Sequence, residues 1–169
     1  MSRTDIAETY WQALRRDRPE LGLPERYDLW YFGDSEELAR ELLDLVLAGT
    51  KTATAGLVWG ADDAGTPKPG GHSLVTDFAG TPHCVLQTVE VRVLPFDQVD
   101  AAFAHDEGEG DRSLAFWRDA HWSFFGRRCA EIGRQPARDM PVFCERFRLV
   151  YPPPRGKPRP SASQFSRLR

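Results

Sequence analysis

Lys51 stands in the segment Gly49-Thr50-Lys51-Thr52-Ala53-Thr54-Ala55-Gly56, directly after a stretch with helical periodicity. Helices often end in glycine because it adopts the left-handed conformation without a Cβ penalty. A lysine just past such a stop has a fixed backbone, and its three ammonium donors lie among hydroxyls and the helix's last carbonyls. That setting suits an anionic ligand or a nucleophile needing activation. The bland alternative is an ordinary helix-to-strand connection with a solvated lysine.

A second cluster runs from Phe103 to Leu114. It gathers Asp106, Glu107, Glu109 and Asp111 with His105 and Arg112 in a glycine-broken segment before a helix. Glycines let the backbone turn sharply and approach a ligand closely. Carboxylates at such a turn can act as general base, orient a water, or pair with Lys51. Alternatively, Asp111 caps the helix and the other acids are solvated. The spacing lacks the regular oxygen ligands of a calcium loop, so no metal is expected.

A third cluster, Trp117 to Phe125, places Trp117, His121 and Phe124 on one helical face and Trp122 and Phe125 on another. Aromatic groups beside a lysine can stack a nucleobase. Packing in the core is the plainer reading, and for His121 it means a satisfied core histidine.

These residues need elements to hold them. The spacing predicts a helix over 4–16 capped by Thr4, and an aromatic strand over 27–32. A second helix follows, capped by Asp34 with Glu37 three places on, its inner face formed by Leu38, Leu42, Leu45 and Val46. Beyond the lysine the period shortens toward two. Strands are expected over 53–59, 73–78, 83–94 and 142–151, with a short helix over 96–103 and a longer one over 112–125 between them. Strands joined by short turns with helices inserted point to an α+β fold, a small mixed β-barrel with peripheral helices. No internal repeat is present.

Composition sets the outer limits. The 169 residues, 41% hydrophobic, suit one domain with one core. No apolar run approaches a membrane span, and the polar N-terminus is unlike a signal peptide. Cys84, Cys129 and Cys144 form no paired motif and read as small buried hydrophobes. A cytoplasmic protein is expected. The division is a helical extension over 1–26, a domain over 27–151 and a tail over 152–169. That tail holds five basic side chains and no acid, so the body is more acidic than the net charge of −3 suggests. Such a tail either contacts nucleic-acid phosphates or simply solubilises the chain.

Gly49-Thr50-Lys51-Thr52-Ala53-Thr54 resembles the G-x-K-x-x-T signature of ASCH domains, relatives of PUA domains. The segments Asp77 to Cys84, Phe96-Asp97, Ala104 to Leu114 and Val142 to Tyr151 also resemble that family, in its order. The likeness runs from about Tyr27 to Tyr151. It implies a PUA-like barrel with a cleft beside the lysine loop, and an RNA-related role. Some members are ribonucleases on single strands, and others are amidohydrolases acting on N4-acetylcytidine. The signature commonly continues with an arginine where this chain has Gly56. Arg112 is the candidate to supply that cation instead.

The resemblance therefore implies a hydrolase acting on single-stranded RNA or a modified nucleoside, without a cofactor or metal. Lys51, Thr54 and Glu107 would be catalytic, with Glu107 preferred to Glu109 for its spacing from Ala104. Thr52, Arg112, His121 and Ser123 would bind substrate. In amide hydrolysis Thr54 would attack the carbonyl, Lys51 would ease formation of its alkoxide, and Glu107 would pass a proton to the leaving amine. In RNA cleavage the ribose 2′-hydroxyl would attack, and Lys51 would stabilise the phosphorane. The remaining alternative is a non-catalytic module that binds RNA or a nucleotide through Lys51. In a regular strand Lys51 and Thr54 would point to opposite faces, so a shared site needs irregular backbone between them.

Overall fold

Two irregularities in one long strand pairing shape the sheet. Strand β4 (Pro82–Pro95) runs antiparallel to β5 (Pro141–Tyr151), with register shifts at Val85/Leu86 and Thr88/Glu90. Bulges bend a strand and increase its twist. The resulting sheet is curled and mixed, a half-barrel of five strands in the order β1 (Asp28–Trp30), β3 (His72–Thr76), β4, β5 and β2 (Ala53–Leu57). Strands β1 and β3 are parallel, whereas β3–β4 and the pairing of β5 with β2 are antiparallel. The structure, a computed structural model, describes residues 1–60 and 64–153. The expected basic tail lies outside them from residue 154 onward.

Four α-helices are present among the described residues: α1 (Arg3–Asp17), α2 (Glu36–Leu47), α3 (Ala101–Glu107) and α4 (Leu114–Glu131). Three of them are capped by a residue other than the one read in the sequence. Ser2, not Thr4, caps α1, in a reciprocal box with Asp5. Ser35, not Asp34, caps α2, leaving the Asp34 carboxylate to accept from Arg127 at 2.7 Å. Ser113 caps α4, and Asp111 accepts from the Ser113 amide instead. Short polar side chains cluster at these starts, and periodicity alone does not say which of them turns its oxygen inward. The helix expected over 96–103 is a 3-10 turn, Phe96–Gln98, followed by α3. Helix α4 also continues past Phe125 to Glu131.

The two sides of β5 bury different partners. Val142 and Cys144 pack with Ala53, Phe103, Trp117 and Phe125, under α3 and α4. Phe147 turns the other way and packs with Phe32, Leu42, Val46 and Leu86, under α2. Helix α1 packs on β3 and β4, with Trp11 fully buried and Leu74 and Val85 beneath it. The Trp11 indole N–H donates to the Pro24 carbonyl, and its ring stacks on Tyr27. The three cysteines are buried and free. No helix among the described residues is long and apolar enough to cross a membrane.

Candidate active site

The end of α2 sets the position of Lys51. Gly49 has φ +80°, and the amides of Thr50 and Lys51 both donate to the Leu45 carbonyl at 3.0 and 3.1 Å. The lysine backbone, and not its ammonium, therefore meets the last helix carbonyls. The side chain is buried at 2% exposure and crosses to α3. Its Nζ lies 3.4 Å from Glu107 Oε2, 3.2 Å from Glu109 Oε2 and 3.5 Å from the Glu107 carbonyl. The solvated-lysine reading does not hold.

Helix α3 can come this close because it stops at Gly108, with φ +72°. A Cβ there would sit 2.5 Å from the Thr50 carbonyl oxygen, so only glycine lets the two chain segments touch. Thr52 fastens the same junction: its amide and hydroxyl both donate to the Asp106 carbonyl, at 2.8 and 3.2 Å. Thr52 thus holds backbone and does not line the cleft.

From α4, His121 completes the cluster. Its Nε2 is 3.1 Å from Glu107 Oε2, and its ring stacks on Trp117 at 4.2 Å between centroids. Its Nδ1 is 2.9 Å from the Trp117 carbonyl oxygen, which can only accept, so Nδ1 carries a proton. Burial works against the imidazolium, but the Glu107 carboxylate outweighs it and raises the His121 pKa. Burial would also raise Glu107, yet Lys51 and His121 prevail and hold its carboxyl well below the usual range. Glu109 goes the other way. Burial, reinforced by the Glu107 charge, pushes it up to about 7 despite Lys51. Two carboxyls with values pushed apart can divide the roles of anion and acid.

Lys51, Thr54, Glu107, Glu109, His121 and Ser123 line one cleft of about 360 Å³. Lys51 precedes the first residue of β2, so strand alternation does not separate it from Thr54. A second chamber of about 470 Å³ adjoins it and shares Phe32, Thr54 and Phe124 as walls. Arg112 lines neither. At φ +64° it turns away, donating from Nε to the His105 carbonyl at 2.9 Å. Arg127 lines the cleft in its place.

Glu107, Glu109 and His121 have ligand atoms within 4.8 Å of one another, a donor set that could hold a cation. The Lys51 ammonium already neutralises the same two carboxylate oxygens, and a metal would have to displace it. One oxygen, Glu107 Oε1, is buried with no hydrogen-bond partner among the described residues.

The sequence reading preferred Glu107 to Glu109, whereas both carboxylates meet Lys51, and it missed the second chamber with Glu145. A glutamate between Phe143 and Phe147 on one face of a strand was the available signal. The profile of the ASCH domain matches residues 28–151. A crystal structure of an ASCH domain from Lactobacillus crispatus is 34% identical, covering 89% of this chain and 94% of that one, with a TM-score of 0.72. A crystal structure of a protein from Enterococcus faecalis is 30% identical over 88% of this chain and 91% of that one, with a TM-score of 0.75. No curated protein matches the sequence. On the profile and these two likenesses, the chain belongs to the ASCH domain family and has its PUA-like fold.

Proposed function

We propose that the protein hydrolyses an amide carried by a modified nucleobase or nucleoside. The observation that carries this reading is the buried Lys51 ammonium, held by two carboxylates with opposed pKa shifts in a cleft that also contains Thr54. The Thr54 hydroxyl attacks the amide carbonyl while the ionised Glu107 takes its proton. Lys51 stabilises the oxyanion of the tetrahedral intermediate. Glu109, protonated near neutral pH, gives its proton to the departing amine and leaves an acyl ester on Thr54. Water then attacks the ester and loses its proton to Glu109, and Glu107 returns a proton to Thr54. His121 holds Glu107 in place, and Ser123 and Arg127 offer polar contacts at the cleft wall.

The family's association with RNA supports a nucleic-acid-derived substrate. Cleavage of the RNA backbone is the less favoured chemistry here. A phosphorane carries more negative charge than a single oxyanion, and the one Lys51 ammonium already faces the ionised Glu107. Arg127 is engaged by Asp34. The test is to incubate the purified protein with N4-acetylcytidine and with single-stranded RNA, each with and without EDTA, beside Lys51→Ala. Release of acetate that persists in EDTA and vanishes in the variant is expected. Cleavage of RNA with the amide left intact would overturn the reading. Binding of either ligand without turnover would return the site to a recognition module.

A further inference from the structure

The wall of the second chamber contains a carboxylate that the chemistry above does not use. Glu145 is 3% exposed, and its Oε1 accepts from the Thr88 hydroxyl at 2.6 Å. Its second oxygen makes no hydrogen bond among the described residues, although the side chain lines the chamber. A buried carboxylate with unused acceptor capacity is costly unless something donates to it. Asp28 lines the same chamber, so an anion such as phosphate is disfavoured there. A neutral or cationic group with an N–H is the fitting occupant.

Its position is what makes Glu145 informative. Glu145 on β5 is the cross-strand partner of Thr54 on β2, and Phe143 is the partner of Gly56. Directly opposed side chains on one sheet face have Cβ atoms about 5 Å apart. A ring that donates to Glu145 therefore places its substituent beside the Thr54 hydroxyl, at the doorway between the chambers. Trp30, Phe124 and Phe143 supply apolar walls, and the volume of about 470 Å³ accommodates a heterocycle.

We propose that this chamber binds the ring of the substrate, and that Glu145 selects a ring whose edge donates an N–H over one that presents a carbonyl at the same place. The proposal rests on the nucleobase-directed reading of the cleft and adds the group that chooses the base. A site built around a hydrogen-bond acceptor rejects a ligand that offers a second acceptor, because both groups are then left unpaired.

Two ligand pairs exchange that amino group for a carbonyl, with the adjacent ring nitrogen changing from acceptor to N–H donor: cytidine against uridine, and adenosine against inosine. Binding to the full chain is followed by tryptophan fluorescence, since Trp30 lies in the wall. The amino member of at least one pair should bind about tenfold more tightly, the scale of one hydrogen bond to a charged group. Glu145→Gln offers an N–H as well as a carbonyl, so it should narrow or reverse that preference. Equal binding within both pairs, no binding by any of the four, or an unchanged preference in a folded Glu145→Gln would overturn the proposal. The wild-type comparison decides the matter even where the variant does not fold. Amide turnover is measured separately. Preference without turnover sinks the hydrolase reading alone, and turnover without preference sinks this one alone.

Discussion

Phe143 lies across Gly56, its ring filling the space that a Cβ on residue 56 would need. The two are cross-strand partners on β5 and β2, at the wall of the second chamber. The glycine at this point is therefore not simply a lost side chain. A strand position with no Cβ lets a neighbouring aromatic ring lie flat against the backbone.

Gly56→Arg, which restores the residue common in the family signature, is expected to displace the Phe143 ring and destabilise the protein by about 1–3 kcal/mol, the usual cost of overpacking. Pairing it with Phe143→Ala should recover most of that loss. Urea unfolding of the two single variants and the double variant checks this. Additive effects would mean that the ring and the glycine are not coupled.

Lys51 and Glu107 are both buried, so removing either partner strands a charge. Lys51→Met should cost about 3–5 kcal/mol in unfolding free energy, and Glu107→Gln should also destabilise the fold. Full burial of Glu107 is why its replacement reaches stability as well as activity. The double variant should lose clearly less than the sum of the two. Chemical denaturation in a double-mutant cycle measures the coupling, and a coupling near zero would count against the pair.

The acid cluster predicts a stability optimum on the acid side of neutrality. Glu109 has its folded pKa raised to about 7 from an ordinary 4.5, so its contribution is complete below pH 4.5 and is lost as the pH rises toward 7. His121, raised above 6.5, contributes in the same direction: present below 6.5 and lost as the pH climbs through its folded value. Glu107 is lowered, so its contribution is present above pH 4.5 and lost on acidification. Melting temperature should peak between about pH 4.5 and 6.5 and decline toward pH 8. Glu109→Gln should flatten the decline between 4.5 and 7. A melting temperature that rises steadily from pH 5 to 8 would contradict these assignments.

Gly108 joins the two halves of the site. Gly108→Ala forces a Cβ against the Thr50 carbonyl in a left-handed conformation that costs a non-glycine residue about 1–2 kcal/mol before any clash. The expected result is a lower melting temperature together with a fall in kcat, because α3 must shift and carry Glu107 and Glu109 away from Lys51. Gly133, at φ +69° with open space around it, is the control: alanine there should lower stability but leave turnover unchanged.

Local features of the chain determined much of this protein. The leucine stripe of α2, the glycine stop before Lys51, the turn-bounded strands and the ordered family motifs are all set by neighbours a few residues apart. They made the α+β barrel legible, along with the catalytic candidates Lys51, Thr54 and Glu107. Tertiary structure decided what those residues face. Lys51 meets Glu107 and Glu109 only because α2 and α3 touch at Gly108, and His121 arrives from a third helix. Arg112 belongs to the same sequence cluster as the acids yet turns outward, while Arg127 and Glu145 reach the cavities from segments that no local pattern connects to them. Pairing of β2 with β5 sets Glu145 opposite Thr54 and Phe143 opposite Gly56. Strand register depends on contacts between distant segments, and a shift of one residue would turn every one of these side chains to the other face of the sheet.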